Sequence, residues 1–324
     1  MSGDVFTSWA IREALAEEMR RDESVILLGE DIAEYGGAFK VTEGLLAEFG
    51  PDRVINTPIS ENGFVGVAVG AAMCGLRPVV EIMFMDFVTL AMDQLVNHAA
   101  KFHFIYGTPI PMVLRLPAGA GRGYGATHSQ TLDSWFISVP GLKVVAPWSA
   151  ADAKGLLKTA VRDDNPVVFI EHKLLYPKKG PVPDGDYTVP FGRASIVREG
   201  TDLTIVAYSK MVDEALVAAD ALAEAGACAE VIDLRSLHPL DDVMLAESVA
   251  KTGRAVLVEE GVRQGGVMAE VACRIMESAF DYLEAPIMRV GSGFAPVPCA
   301  ESLERALLPS AANVLAAARA VLGR

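Results

Sequence analysis

One carboxylate stands out in the stretch INTPISENGFVGVAVGAAMCG, residues 55–75. Glu61 precedes a run of glycine, alanine and valine that holds no lysine or arginine to pair with it. An acid in the first turn of a helix favours the positive end of the helix dipole and often has no further role. Gly63, Gly66 and Gly70 also indicate close packing of another element against this helix.

A glycine-rich loop, AGAGRGYGATHSQ at residues 118–130, is the second candidate for chemistry. It lacks a GxGxxG opening onto a helix and lacks GKS or GKT, so neither a dinucleotide nor a P-loop site is predicted. His128 follows a predicted strand, and α/β active sites lie at such strand ends. Spacing alone leaves a catalytic histidine and an ordinary surface histidine equally open. The sequence has no GxSxG element, so a serine hydrolase is not indicated.

Composition narrows the class of protein that could carry these residues. The 324 residues are enough for two domains, and 51% of them are hydrophobic, so a large core is expected. The net charge of −14 argues against a nucleic-acid partner and is compatible with docking a basic protein surface. Four scattered cysteines without a CxxC pair favour reduced thiols. Neither a secretory signal nor a membrane span is indicated, and we expect a soluble cytoplasmic protein.

The elements that must position these residues follow an alternating pattern. Predicted strands are SVILLGED, RVINT, RPVVEIMF, IPMVLRLP, LKVVAP and PVVFIEH, and predicted helices are 61–75, FVTLAMDQLVNHAAKF and 149–162. This alternation predicts a parallel sheet covered on both faces. Proline, glycine and lysine then interrupt it before a second alternating segment begins. We therefore predict one α/β domain over 1–175, a linker over 176–195 and a smaller α/β domain over 196–324.

Several of these segments resemble a known family in the same order along the chain. They are TPISENGFVGVAVGAAMCGLRP, HSQ, PGLKVVAPWSAADAKGLLKTAVRDDNPVVFIE and VIDLRSLHPLD. Together they resemble the β subunit of thiamine-diphosphate-dependent 2-oxo acid dehydrogenases, and the acetoin dehydrogenase β subunit is similarly close. The resemblance implies a thiamine-diphosphate pyrimidine-binding domain with a doubly wound parallel sheet, followed by a smaller domain like the transketolase C-terminal domain.

The resemblance also implies roles for individual residues. Glu61 would hydrogen-bond the aminopyrimidine ring of the cofactor and so promote loss of the thiazolium proton, and burial would strengthen that bond. Phe87 would stack on the ring, which Ile59 and Met83 would also line. His128 would lie near the substrate and the incoming lipoyl group, where it would transfer a proton or stabilise charge. A structural potassium ion is implied at five residues: Met112, Ala160, Val161, Asp163 and Asn165.

The partners implied by the resemblance follow from a missing motif. Thiamine enzymes bind the diphosphate and Mg²⁺ with a GDG motif, which this sequence does not contain. Mg²⁺ would then be held by an α subunit in an α2β2 heterotetramer, and a lipoyl-bearing dihydrolipoyl acyltransferase would accept the acyl group. The string MFMDF, where pyruvate-specific members often have TFNF, leaves pyruvate, branched 2-oxo acids and acetoin open as substrates. Half of a split transketolase and a non-catalytic scaffold are the other hypotheses.

Overall fold

The computed structural model describes residues 3–323, which form two compact units. The first unit runs from the N-terminal side to Ala118 and from Trp135 to Phe191. The second unit contains Gly119–Ser134 and the chain from Gly192 onward. The loop that carries His128 therefore groups with the C-terminal part of the chain, although its neighbours in sequence on both sides lie in the first unit.

The first unit contains eight strands and six α-helices among its described residues. The strands are β1 (Val5–Phe6), β2 (Val25–Gly29), β3 (Val54–Asn56), β4 (Arg77–Glu81), β5 (Val113–Ala118), β6 (Lys143–Val145), β7 (Val167–His172) and β8 (Lys179–Gly180). The helices are α1 (Thr7–Arg21), α2 (Leu45–Phe49), α3 (Glu61–Met73), α4 (Ala100–Tyr106), α5 (Ser134–Ile137) and α6 (Ala150–Arg162).

A parallel sheet with the order β6-β7-β5-β4-β2-β3 forms the middle layer of the first unit. On one face, α1 and α6 pack against each other and bury alternate strand residues such as Leu27, Val79 and Phe169. Helix α3 packs on β2 and β4 but contributes nothing to that cluster, so it covers the other face. The predicted parallel sheet with helices on both faces is therefore confirmed.

The helix predicted over FVTLAMDQLVNHAAKF is wrong as a single regular helix. Met85–Leu90 form a 3₁₀ turn, Gln94–Ala99 form a π-helical turn, and α4 begins only at Ala100. The Thr89 hydroxyl donates to the Asp86 carbonyl at 3.0 Å, a local bond that competes with regular helix formation. The apolar spacing fits all three kinds of helical turn and does not distinguish them.

Residues in the predicted linker pack within the first unit as far as Phe191. Tyr176 and Val182 are buried, and β8 pairs antiparallel with β1. The Tyr187 hydroxyl donates to the Ala151 carbonyl at 2.8 Å. These contacts extend the first unit through residues 176–191, although their proline and glycine content predicts a linker.

The second unit also contains a mostly parallel sheet, in the order β14-β13-β10-β11-β9, with β9 antiparallel to β11. Its strands are β9 (Ser195–Arg198), β10 (Leu203–Ala207), β11 (Ala229–Asp233), β12 (Ser236–His238), β13 (Ala255–Val262) and β14 (Met288–Ser292). Its helices are α7 (Met211–Glu224), α8 (Asp242–Thr252), α9 (Val267–Ala279), α10 (Glu301–Leu307) and α11 (Ala311–Leu322). Among residues 3–323, no helix is both long and apolar enough to cross a membrane.

Candidate functional site

Glu61 is the first residue of α3, and the local sequence explains why the helix begins there. Pro58 disfavours helical backbone in the residue before it, and the first helical hydrogen bond runs from the Phe64 N–H to the Ser60 carbonyl at 3.0 Å. The helix ends at Met73, and Gly75 just beyond it has a φ of +94°, which lets the Leu76 N–H return to the Ala71 carbonyl. The acid therefore lies at the positive end of a helix that is itself almost free of charge.

The Glu61 side chain is buried without a partner in the chain. Its exposed fraction is 5%, and no group within residues 3–323 forms a hydrogen bond or an ion pair with its carboxylate. An enclosed carboxylate without a partner is destabilising, and neither Glu61 oxygen is among the fully buried unpartnered atoms of residues 3–323, so a small opening remains at the carboxylate. The arrangement fits a site whose hydrogen-bond partner is a ligand.

A second carboxylate, Glu30, lies close enough to Glu61 to influence its own proton affinity. Burial, with smaller contributions from the Glu61 and Asp31 carboxylates, raises the pKa of Glu30. One of its oxygens is buried without a hydrogen-bond partner. Glu30 directly follows β2, at the carboxyl end of a parallel strand where functional residues concentrate. The sequence string LLGED carried that signal, but we did not select Glu30 from it.

The three residues predicted to line the ring pocket lie in segments next to α3. Ile59, two residues before Glu61, is 86% exposed, while Met83 and Phe87 are half-buried. The 3₁₀ turn that carries Phe87 packs against α3. Phe87 also makes an edge-to-face contact with Phe84, with ring centroids 6.0 Å apart. The structure therefore assembles Glu61 and Phe87 in one region of the first unit.

The three glycines of α3 have different surroundings. A Cβ at Gly66 would lie 3.2 Å from Gln94 Oε1, so this glycine permits the close approach of the π-helical turn. A Cβ at Gly63 would lie 2.8 Å from Ser60 Oγ, and one at Gly70 would meet nothing within 4 Å. The close packing predicted from sequence thus occurs within the chain at Gly66, while Gly70 lies on an exposed face.

A buried ion network joins the carboxyl ends of β4 and β7 to the middle of β5. Arg115, 1% exposed, donates to Glu81 at 2.5 Å and binds Glu171 through two hydrogen bonds of 2.6 and 2.7 Å. The Tyr176 hydroxyl also donates to Glu171, at 2.7 Å. Burial lowers the pKa of Arg115, but the two carboxylates outweigh it and raise the pKa overall. Burial raises the pKa of Glu81.

Aromatic side chains connect this network to the predicted ring pocket. Tyr176 packs on Phe39 with ring centroids 5.2 Å apart, and Phe39 packs edge-to-face on Phe84 at 5.7 Å. Phe84 in turn contacts Phe87. Sequence analysis missed Arg115, Glu81 and Glu171, because each charged residue stands alone inside an apolar strand and only strand pairing brings them together.

The residues predicted to hold potassium lie near the carboxyl end of α6, but other groups already bind several of them. Arg77 donates to the carbonyls of Val161 and Asp163 at 3.1 and 3.0 Å, and Lys143 binds the Asp163 carboxylate. The remaining contacts are Val167 N–H with the Met112 carbonyl, Asp163 N–H with the Ala160 carbonyl, and His103 Nδ1 with Asn165 Oδ1. A carbonyl oxygen keeps a second lone pair, but two nearby cationic groups oppose a further cation.

His128 lies in the second unit, half-buried in the glycine-rich loop. Its ring Nδ1 lies 3.1 Å from the Thr127 hydroxyl, and its backbone N–H donates to the Gly125 carbonyl at 3.4 Å. The neighbouring Ser129 hydroxyl is buried without a hydrogen-bond partner. Among residues 3–323, no group of three or more histidine, cysteine, aspartate or glutamate residues is arranged to hold a metal ion.

The pyrimidine end of thiamine diphosphate fits the first unit. The cofactor would find an unpartnered buried acid at Glu61 and a half-buried aromatic ring at Phe87. An aminopyrimidine ring offers the nitrogen that an isolated carboxyl can hydrogen-bond and the flat face that an aromatic ring can stack on.

Comparisons with known proteins agree with this fold. Residues 4–179 match the family model described as the transketolase pyrimidine binding domain, and residues 192–314 match the transketolase C-terminal domain. The pyruvate dehydrogenase E1 component subunit beta of Rickettsia felis is 51% identical over 314 residues, 96% of this chain and 96% of that protein. The mitochondrial subunit beta of Dictyostelium discoideum is 48% identical over 321 residues, 97% of this chain and 90% of that protein.

The chain belongs to the pyruvate dehydrogenase E1 beta-subunit family. Membership confirms the resemblance that the sequence motifs suggested, and the two matched domain models confirm the predicted fold class. A solved split-gene transketolase, described as an inactive beta4 tetramer, has the same fold with a TM-score of 0.81 and 27% identity. That alignment covers 99% of each chain, so this member of the E1 beta family retains both units of the transketolase-type fold.

Proposed function

We propose that the chain is the β subunit of the thiamine-dependent component that decarboxylates pyruvate in a 2-oxo acid dehydrogenase complex. It would act with an α subunit and transfer the acyl group to lipoamide. The observation that carries the proposal is the buried, unpartnered carboxylate of Glu61 in a chain about half identical to proteins named pyruvate dehydrogenase E1 beta subunits.

The residues of this chain would act mainly on the pyrimidine side of the cofactor. When bound, thiamine diphosphate supplies the nucleophilic carbon that adds to the 2-oxo group and accepts the electrons released with CO₂. Glu61 would hold a hydrogen bond to the ring nitrogen, and its burial would make that bond strong. Phe87, with Met83 and Ile59, would orient the ring and exclude water. His128 would hold or move a proton at the substrate oxygen.

The partner proposals rest on what the first unit exposes and on the missing motif. Ile59 and Val67, beside Glu61 and on α3, are 86% and 61% exposed, which leaves apolar surface at the proposed site. An α subunit seated there would enclose the cofactor and bring the diphosphate and Mg²⁺ ligands that the GDG motif supplies elsewhere. The assembly would be an α2β2 heterotetramer that also binds a lipoyl-bearing dihydrolipoyl acyltransferase. A potassium ion at the end of α6 and a cytoplasmic location stay predictions.

Two alternatives remain as outcomes of a substrate assay. Acetoin dehydrogenase has the motif MFMDF in its favour, but the relatives of about 50% identity carry the pyruvate dehydrogenase name. A split transketolase shares the fold at 27% identity, well below that of the dehydrogenase subunits.

The decisive experiment is co-expression with an α subunit, followed by dye-reduction assays with pyruvate, branched 2-oxo acids, acetoin and xylulose 5-phosphate. We expect turnover of pyruvate above the other substrates, and none from the β chain alone. Turnover of xylulose 5-phosphate without 2-oxo acid oxidation would contradict the proposal.

The role of Glu61 is tested by Glu61→Gln in the same complex. We expect kcat to fall about 100-fold or more, because an amide binds the ring nitrogen less strongly than a carboxyl and cannot share its proton. Assembly, measured by size-exclusion chromatography, should be unchanged. Glu23→Gln, at an exposed acid of the same unit, is the matched control. Near-normal turnover by the Glu61 variant would disprove the assigned role.

A further inference from the structure

The glycine-rich loop between β5 and α5 has an unusual backbone. Gly119, Gly121, Gly123 and Gly125 all adopt positive φ, at +91°, +94°, +67° and +76°. Residues with side chains rarely adopt this conformation, which explains why every second position is glycine. Backbone that alternates in this way turns N–H groups toward one side and forms a concave site for an anion. The loop therefore has the form expected of a phosphate-binding segment, although its sequence lacks a phosphate-binding motif.

The anion in this concave site is a carboxylate of the same unit. Glu304 of α10, 3% exposed, accepts the Gly121 N–H through Oε1 at 2.8 Å. It also accepts the Gly123 N–H, at 3.3 Å through Oε1 and 3.1 Å through Oε2. A second carboxylate, Glu260, accepts the Ala120 N–H at 2.8 Å and lies 3.4 Å from the Thr131 hydroxyl. Hydrogen bonds to ionised acceptors are about twice as strong as neutral ones, so the loop is firmly held.

Steric contacts hold the same loop from the side of Cys299. A Cβ at Gly123 would lie 3.1 Å from the Cys299 carbonyl oxygen, and a Cβ at Gly125 would lie 2.4 Å from Cys299 Sγ. The segment just before α10 is therefore packed directly on the loop. Carboxylates and close packing together leave the backbone from Ala120 to Gly125 little freedom.

We propose that Glu304 is the positioning residue for His128, with Glu260 in support. His128 follows three residues after Gly125, and its backbone N–H donates to the Gly125 carbonyl at 3.4 Å. The backbone that carries the imidazole is therefore continuous with the segment that the two carboxylates hold. This inference rests on the proposed function, because it assigns Glu304 a part in catalysis only through His128.

The anchoring step is tested on the purified chain without an activity assay. Arg122 lies between the two anchored glycines, so trypsin cleavage after Arg122, followed by mass spectrometry, reports release of the loop. We expect Glu304→Ala to raise the cleavage rate at least tenfold and to speed amide hydrogen exchange over 119–125. Glu304→Gln, which keeps a neutral acceptor, should give an intermediate rate. Glu301→Gln, at an exposed acid of the same helix, is the control and should match wild type.

The catalytic step is tested in the assembled α2β2 complex by a double-mutant cycle. We expect Glu304→Ala to lower kcat about 10- to 100-fold, the range expected for a misplaced catalytic group. Adding it to His128→Ala should cause little further loss, because both changes act through the same imidazole. Multiplying losses would show a general structural role and overturn the proposal. If Glu304→Ala does not fold, Glu304→Gln takes its place in both tests. A Glu304→Gln variant with wild-type cleavage, hydrogen exchange and kcat would also overturn the proposal.

The two proposals fail in different ways. If the wild-type complex does not oxidise 2-oxo acids but the Glu304 substitutions still release the loop, the proposed function is wrong and the anchoring role of Glu304 stands. If the wild-type complex oxidises 2-oxo acids but the variants are cleaved after Arg122 at the wild-type rate, the anchoring role is wrong and the proposed function stands.

Discussion

At the scale of the residue, buried acids divide into those that bind groups of the chain and those that do not. Glu304 is surrounded by backbone N–H donors, whereas Glu61 has no partner among residues 3–323. Both are almost fully buried, so burial alone does not separate the two roles. The presence or absence of donors does, because a buried carboxylate without donors is destabilising unless a ligand supplies them.

Glu259 in the second unit is an intermediate case. It accepts the Met268 N–H at 3.3 Å near the start of α9, and a Cβ at Gly266 would lie 2.3 Å from both of its oxygens. Its Oε1 is buried without a partner. Burial raises the pKa of Glu259 to about 8, and the charge of Asp133 adds to this effect. The Met268 N–H and the charge of Arg289 act in the opposite direction but are outweighed. Near neutral pH the protonated form therefore predominates in the folded chain.

This raised pKa predicts a pH-dependent stability. The folded state binds the Glu259 proton more tightly than the unfolded state does, so its contribution is complete below about pH 4.5 and is lost as pH rises through 8. Glu259→Gln mimics the protonated acid, so its stability advantage over wild type should grow by about 3 kcal/mol as pH rises from 5.5 to 9. Thermal unfolding at several pH values measures this, with the exposed Glu277→Gln as control. A constant difference across the range would contradict it.

At the scale of the element, strand pairing creates the ion network of the first unit. Glu81 on β4 lies opposite Arg115 on β5 in the parallel register, and β7 places Glu171 next to them. The network joins three neighbouring strands near the carboxyl end of β4, from which the segment carrying Met83 and Phe87 continues.

We predict that removing the central cation destabilises the first unit strongly. Arg115→Met would leave two buried carboxylates without a counter-ion and should cost about 3–5 kcal/mol. Arg20→Met is the matched control, because Arg20 also binds a carboxylate, that of Glu48, through two hydrogen bonds but at an exposed surface. Its loss should cost less than about 1 kcal/mol. Thermal and urea unfolding measure the stability of both variants. Equal losses of unfolding free energy would show that burial does not determine how much the Arg115 network contributes to stability.

At the scale of the whole molecule, the proposed function requires surfaces that the isolated chain leaves open. Helix α3 buries one side on the sheet and exposes Val67 and Gly70 on another, six and nine residues after Glu61. Apolar residues exposed beside an incomplete site are typical of a protein interface.

We predict that Val67→Glu prevents assembly with the α subunit and leaves the stability of the β chain unchanged. The charge would be solvated in the free chain but would lose its water in the complex. Val217→Glu on α7 is the control, since Val217 is 57% exposed and Val67 is 61% exposed. Size-exclusion chromatography and thermal unfolding measure the two effects. Normal assembly of the Val67 variant would place the α subunit elsewhere.

The sequence alone determined the fold class, the succession of the main strands along the chain and the family. Runs of apolar residues long enough for buried strands, separated by helical spacing, permit few arrangements other than a parallel sheet with helices on both faces. Glu61 could be selected from the sequence as a candidate, because a lone acid in an apolar stretch is a local feature of the chain.

Only the tertiary structure decided which distant residues act together. The glycines of the His128 loop are bound by Glu304, 181 residues after Gly123, and Arg115 meets Glu171 across 56 residues. No local pattern encodes such pairs, because each depends on how strands and loops pack once the chain is folded. The glycine-rich loop, for which the sequence predicted neither a dinucleotide nor a P-loop site, thus directs its N–H groups to a carboxylate of its own chain.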